Sequence, residues 1–411
     1  MGRIREHFEA YWHGEIDPDA HHPGAPLFEL EEIADGVAFV SSFANSTVVR
    51  TADGLLIFDA GSFVLAGQVH AAIRTWSHEP ARRVVYTHGH VDHCFGVDLW
   101  EKHGPVEVIA HEALPARFRR YERTPGWNAC INARQFGGQL RWPLGYRYPD
   151  TVYRERLDLD VGGERIELHH ARGETDDATW AWLPARKVLA VGDLFIWAAP
   201  NAGNPQKVQR YPLDWARALR TMSALGAEVL APGHGPPIYG HERVARALDE
   251  TAALLESLHD QTVALMNEGA KLDDILATVR APAHLLQRPY LRPTYDEPEF
   301  VVRNVYRLYG GWWDGNPATL KPAPEADLAR ELAALAGGAR NVAKRAEALL
   351  AGGEQRLAGH LAEIAAKAAP DDEEVFAIRA RINGARATSE RSLMAQGVFR
   401  AAAQEKPRRR E

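Results

Sequence analysis

Cysteine is almost missing from this chain: 411 residues contain two, Cys94 and Cys130. A disulfide framework is therefore not in play, and any core must come from apolar burial. No stretch reaches the roughly 20 consecutive apolar residues that a membrane-spanning helix needs. The first residues, Met1-Gly2-Arg3-Ile4-Arg5-Glu6, carry charge from the start and lack the apolar run of an export signal. A cytoplasmic protein is expected. Excess positive charge is lacking too, since 48 Lys and Arg stand against 55 Asp and Glu, a formal net charge of −7. That sign argues against nucleic acid, whose phosphates need a basic surface. The short basic tail Lys406-Pro407-Arg408-Arg409-Arg410 reads as a solvated end rather than a binding arm.

What is present suits a soluble globular protein of two domains, because 411 residues exceed one ordinary core. Residues 37–40, 46–49 and 55–58 are short β-branched or aromatic runs separated by turn residues, which predicts strands. Residues 179–182 and 187–191 flank Pro184-Ala185-Arg186, a hairpin pattern. Residues 213–225 have helical spacing and stop at Gly226. From His241 the composition shifts to Ala, Leu, Glu and Arg. Apolar positions at helical spacing run to Asn267-Glu268-Gly269, and further helices are expected at 325–335, 342–350, 354–368 and 372–382. The expected organisation is an α/β domain over 1–240 and an all-α domain over 241–411, the latter an array of helical hairpins. Tyr306, Tyr309 and Trp313 form an aromatic stripe that fits a core or a subunit interface better than a substrate site.

The segment Thr87-His88-Gly89-His90-Val91-Asp92-His93 directly follows an apolar run, Arg83-Val84-Val85-Tyr86. Four residues with good metal-binding side chains fall within six positions, and imidazole with carboxylate suits borderline divalent ions such as zinc. In extended backbone His88 and His90 point the same way, while Asp92 and His93 at the bend can serve a second ion. Cys94 is read as a small packed residue. Asp59, in Asp59-Ala60-Gly61 at the end of a strand, is either a plain turn residue or a carboxylate that orients a ligand loop.

This spacing is similar to the HxHxDH signature of the metallo-β-lactamase superfamily. The remaining elements of that family's pattern occur in order: Gly173-Glu174-Thr175, then Asp193 closing Val188-Leu189-Ala190-Val191-Gly192-Asp193, then His234 in Gly233-His234-Gly235. The resemblance implies an αββα sandwich with two Zn2+ at one sheet edge. It places His88, His90 and Glu174 on one ion, Asp92, His93 and His234 on the other, and Asp193 between them. Glutamate at the third position, where histidine is usual, resembles the alkyl sulfatase branch. Read from the residues alone, His169 or His170 remains open as the third ligand, because adjacent strand residues face opposite ways.

The resemblance extends to Tyr309-Gly310-Gly311-Trp312-Trp313-Asp314-Gly315-Asn316-Pro317, similar to a stretch of the alkyl sulfatase dimerisation domain, and so implies a homodimer. Two close divalent ions suit hydrolysis, with Asp92 and Asp193 at the reacting centre. Hydrolysis of an alkyl sulfate ester is the leading expectation. A carboxylic-type hydrolase (lactonase, thioesterase or β-lactamase-like) is the alternative. Residues 119–147 and 195–210 are the expected pocket walls, and Asn132, Arg134, Lys207 and Arg210 the candidate contacts to an anionic or amphiphilic small-molecule ester. Lys207 and Arg210 read equally well as solvated charges. The branch's arginine-bearing Leu-Arg-Gly stretch is here Asn204-Pro205-Gln206-Lys207, and its bridging glutamate is Asp193. Both departures bear on substrate choice.

Overall fold

The computed structural model describes residues 2–139 and 141–408; Arg409 and Arg410 of the basic tail lie outside the described residues. Two compact units emerge. One comprises the chain up to Pro125 together with Trp142–Gly311, and the other comprises Gly126–Arg141 and the chain from Trp312 onward.

The first unit is built on two sheets. One runs β1 (Leu30–Ala34), β2 (Val37–Val40), β3 (Ser46–Thr51), β4 (Gly54–Phe58), β5 (Ala81–Val85), β6 (Glu107–His111) and β7 (Thr151–Tyr153), in that order. The other runs β13 (Ile238–Tyr239), β12 (Val229–His234), β11 (Val188–Ile196), β10 (Ala178–Leu183), β9 (Glu164–Ala171) and β8 (Arg156–Val161). The expected hairpin joins β10 to β11. β4 pairs parallel to β5, and β11 pairs parallel to β12. Phe39, Leu56 and Val85 of the first sheet and Leu168, Leu189 and Val191 of the second share one core. Continuous apolar strands such as β4 and β11, buried at every position, fit sheets covered on both faces.

Helices complete the layers. α1 (Arg3–Trp12) buries Phe8 and Tyr11. α2 (Ala66–Trp76) and α3 (Val97–Glu101) belong to the first half, as does α4 (Leu114–Arg123), while α5 (Pro125–Phe136) falls in the second unit. α6 (Pro212–Ser223) packs on the second sheet through Trp215, whose indole nitrogen donates to Leu194 O at 2.7 Å. α7 (His241–Asn267) lies along α6 and reaches β12 and β13. α8 (Leu272–Thr278), α9 (Ala283–Leu286) and α10 (Pro298–Gly310) follow in the same unit. Contacts therefore divide the chain at Gly311 and not at 240, because α7 buries its apolar face, Leu248, Leu255 and Leu258 among others, in the core of the sandwich.

The second unit begins α11 (Pro317–Leu320), α12 (Glu325–Leu335), α13 (Ala339–Ala351), α14 (Gln355–Ala368), α15 (Glu373–Ser389) and α16 (Leu393–Gln404). Successive helices from α13 to α16 pack pairwise, as short connections dictate. Their core is built largely from small residues, including Ala343, Ala346, Ala358, Ala362 and Ala365. Of the aromatic stripe, Tyr306 packs against the core of the first unit. Tyr309 is exposed, with its hydroxyl 2.9 Å from His259 Nε2.

Asp296 ties α10 to the segment after β11. Its carboxylate accepts from Gly203 N at 2.6 Å and Glu297 N at 2.7 Å. Burial nonetheless lifts its pKa to about 7. The folded chain thus keeps a proton that the unfolded chain releases near pH 4, so folding is disfavoured as pH rises through that window. The cost, on the order of a few kcal/mol, is fully present above pH 7. Asp296→Asn should flatten this slope: its urea midpoint should gain on the parent's between pH 5 and pH 8. Parallel shifts of both midpoints would show that Asp296 is not the titrating group.

Candidate metal centre

β5 delivers the chain into the loop 86–93, and Asp59, just after β4, fixes that loop. Its carboxylate accepts from Thr87 N at 2.7 Å, from Thr87 Oγ1 at 2.6 Å and from His93 Nδ1 at 2.7 Å. Asp59 sits in the left-handed region at φ 58°, which aspartate tolerates better than most side chains. With its proton on Nδ1, His93 presents Nε2 inward. His234, at the end of β12, is set the same way by a bond from Nδ1 to Phe43 O. Asn45 holds the turn after it, donating to Pro232 O at 3.1 Å and Gly235 O at 2.9 Å.

Asp193 lies within β11, where two glycines let the backbones close in. A Cβ on Gly192 would come within 2.4 Å of Thr87 Oγ1, and one on Gly233 within 2.1 Å of Asp193 Oδ1. The result brings Asp193 Oδ1 3.3 Å from His93 Nε2 and 3.4 Å from His234 Nε2, with Oδ2 3.5 Å from His88 Nε2. Asp92 Oδ2 is 3.7 Å from His93 Nε2 and 3.6 Å from His234 Nε2. His88 Nε2 and His90 Nδ1 are 2.8 Å apart, and Glu174 Oε1 is 3.8 Å from His90 Nδ1. All seven expected ligands are thus brought together.

The donor chemistry fits divalent cations. Asp92, His93 and His234 form one group whose ligand atoms lie within 4.8 Å of one another, His90, Glu174 and Asp193 form another, and His88 joins His93 and Asp193 in a third. His93 Nε2 and Asp193 Oδ1 are buried and lack a hydrogen-bond partner, the signature of atoms meant for something else. Burial disfavours the Asp193 carboxylate, yet the imidazoles of His234, His93 and His88 hold it well below the usual range. Burial works against a charged His93 as well, and Asp193, Asp59 and Asp92 overcome it, raising His93 well above its ordinary value. His88 moves the other way, to about 3, through burial and then the charge on His93.

Glu174, on the turn between β9 and β10, is the acid that enters the cluster. His169 stacks on Trp180 at 4.1 Å, and His170 stacks on His111 at 3.6 Å with its Nε2 3.0 Å from Asp176 O. Neither joins the group. Arg210 departs from expectation. It is 2% exposed, and its Nη1 lies 2.6 Å from Glu174 Oε1 and 2.8 Å from Glu174 O. Its charge is engaged with a ligand side chain and is not offered at a pocket wall. Asn132 and Arg134 lie on α5, in the second unit. The Asn132 amide donates to Asn128 O of its own helix at 2.8 Å. Lys207 remains in the first unit, its ammonium 6.0 Å from the Trp142 ring, with its pKa drawn down to about 8 by burial and then by Arg210.

Several supporting residues escaped sequence reasoning. Asn201 donates to Glu174 Oε1. Asp177, wholly buried, accepts from Gly89 N at 3.0 Å and from Arg117 Nε at 2.9 Å, fixing the backbone between His88 and His90. Nothing local marks these roles. The only hint was position, since Asn201 and Asp177 lie close in sequence to ligands.

The Metallo-beta-lactamase superfamily model matches residues 41–234, and the Alkyl sulfatase dimerisation model matches residues 271–408. A linear primary-alkylsulfatase of a Pseudomonas species is 30% identical over 363 residues, covering 81% of this chain and 68% of that one. The chain belongs to the alkylsulfatase family of metallo-β-lactamase proteins. An (R)-specific secondary-alkylsulfatase of Pseudomonas is 26% identical, covering 82% of this chain and 56% of its own length. The solved structure of the inverting sec-alkylsulfatase Pisa1 from Pseudomonas shares the fold, with TM-score 0.81 at 23% identity, over 91% of this chain and 65% of that one. This alkylsulfatase-family chain thus spans about two thirds or less of these relatives' own lengths. Among the described residues no helix is long and apolar enough to cross a membrane.

Replacing Asp59 tests how the centre is held. Asp59→Asn puts an amide where three donors converge, so His93 loses its fixed tautomer. Zinc affinity should fall roughly 10- to 100-fold, read by competition with a chromophoric chelator. An unchanged affinity would remove Asp59 from the account.

Proposed function

We propose that the chain is a dinuclear zinc hydrolase that releases inorganic sulfate from alkyl sulfate esters, acting as a cytoplasmic homodimer. The carrying observation is the clustering of His88, His90, Asp92, His93, Glu174, Asp193 and His234, with Asp193 shared between His88 and His93 on one side and His90 and Glu174 on the other, in a chain of the alkylsulfatase family. Bound divalent ions supply Lewis acidity and a water that ionises near neutral pH. The reaction consumes one water and yields an alcohol and hydrogen sulfate, whichever of the C–O and S–O bonds breaks. Asp92 and Asp193 orient and receive protons at their inward oxygens.

Substrate recognition falls to the wall beside the centre. Lys207 offers an ammonium to an anionic head. Trp142, Tyr121, Tyr146 and Phe118 make a continuous aromatic cluster, with ring centroids 4.4–6.1 Å apart, suited to an alkyl tail. One feature favours the alternative of a carboxylic-type hydrolase: Gln206-Lys207 stands where the branch has its arginine-bearing stretch. Two free cysteines, Cys94 and Cys130, agree with a reducing compartment.

Lys207→Met separates the two enzymatic readings. On an alkyl sulfate kcat/KM should drop roughly ten- to a hundredfold, and on a neutral ester of equal chain length it should hardly change. Lys207 is charged below about pH 8, so KM for the sulfate should climb as pH rises through that value and KM for the neutral ester should not. Equal losses on both substrates, or turnover of the neutral ester alone, would favour the carboxylic hydrolase.

The homodimer rests on the helical unit. On α12 the buried positions are Ala329 and Ala333, while Leu328, Leu332 and Leu335 face out at 55%, 38% and 87% exposure. A leucine ridge of this kind needs cover. The chain should sediment as a dimer at micromolar concentration and Leu332→Glu as a monomer. Monomeric sedimentation of the parent would sink the dimer.

A further inference from the structure

We propose that the two metal positions are unequal: the ion at Asp92, His93 and His234 loads first and tightly, and the ion on Glu174 is held weakly and exchanges. This rests on the dinuclear reading above and adds the cause, which is Arg210.

The geometry sets two different charge environments a few ångströms apart. Around the first position Asp92 and Asp193 converge with Asp59 behind, and of these Asp193 is common to both positions. Asp92 Oδ2 lies 3.7 and 3.6 Å from the inward nitrogens of His93 and His234, Asp193 Oδ1 lies 3.3 and 3.4 Å from the same two atoms, and Asp59 stands 2.7 Å behind His93. At the second position the added acid is Glu174, and its Oε1 is already occupied. Arg210 Nη1 lies 2.6 Å from that oxygen, and Asn201 donates to it as well. The carboxylate that should neutralise the second ion is thereby shared with a permanent cation.

Arginine does not deprotonate in proteins, so this competing charge cannot be shed when the ion arrives. With Arg210 buried, salt screens it poorly. The guanidinium is held twice by the same residue, since its Nη1 also donates to Glu174 O at 2.8 Å. The first position is anchored in the opposite sense, since the partner behind His93 is an anion.

The test is zinc titration of the metal-free full-length chain, by calorimetry and by competition with a chromophoric chelator. Two binding steps are expected, with dissociation constants at least about tenfold apart, the range over which groups behind metal ligands act. Glu174→Gln should abolish the weaker step and spare the tighter one. Arg210→Gln keeps a hydrogen-bonding group without the charge and should tighten the weaker step by about tenfold. Two equal steps in the parent would overturn the inequality and leave the dinuclear reading standing. A parent that binds a single zinc or none overturns both. Loss of the tighter step in Glu174→Gln would reverse the assignment. An unchanged or weakened second step in Arg210→Gln would acquit Arg210. Should that variant not fold, the parent and Glu174→Gln titrations still decide the inequality and its assignment.

Discussion

Asp59 accepts three short hydrogen bonds from a single loop, two from Thr87 and one from His93, while wholly buried after β4. A carboxylate removed from water is costly unless each of its oxygens is engaged, and here burial does push its pKa up, with the charge on His93 opposing. The bonds that satisfy Asp59 are the same ones that set the loop. The Thr87 hydroxyl donates to Asp59 and lies 3.1 Å from His88 Nδ1, so it can accept from that ring and leave His88 Nε2 to face inward. One carboxylate therefore sets both His93 and, through Thr87, His88, and Gly192 then allows β11 to pass close enough to Thr87 to add Asp193.

Replacing a neutral imidazole by Glu174 brings a negative charge into a centre already holding Asp92 and Asp193. Arg210 supplies the opposite charge at 2.6 Å. Taken together the pair is neutral, as the imidazole would be, while still presenting an oxygen ligand. Removing one partner of such a buried pair costs stability, since the survivor's charge is then balanced only by its remaining neighbours. Glu174 and Arg210 are best understood as one unit whose acid reaches the histidine cluster at His90 while its base is buried behind it.

What the sequence disclosed and what it withheld follow a physical line. His88, His90, Asp92 and His93 were legible because four ligands share one loop and their spacing is itself the geometry. Asp193 and His234 could be found because each follows an apolar run and the family pattern gives their order, although β11 continues past Asp193 to Ile196. The helices of the second unit were legible from their apolar spacing, nearly to the residue for α12. Arg210 was read as a substrate contact because its role depends on Glu174, 36 residues away and adjacent only after folding. The Arg117–Asp177 pair, 60 residues apart, was invisible for the same reason. Within the segment 119–147, residues 126–141 belong to the helical unit, where a Cβ on Gly397 of α16 would come within 1.8 Å of Gln135 O. Such tight approach between distant glycine and backbone leaves no periodic trace.

The two cations of the 195–210 segment end with opposite duties, and their environments say why. Arg210 is enclosed by hydrogen-bonded backbone and carboxylate, so its charge is balanced within the fold. Lys207 faces an aromatic ring, and its pKa is drawn down by burial and by Arg210, so its charge is under-compensated. A depressed lysine beside a site is stabilised by whatever anion arrives, and the gain is largest for an anion that also covers the neighbouring ring. Under the proposed function an alkyl sulfate would meet both conditions, its head balancing the ammonium and its tail covering the Trp142 and Tyr121 cluster. Inorganic sulfate meets only the first. In the proposed reaction each product would keep only one of the two contacts, so this wall would hold the ester more tightly than either product.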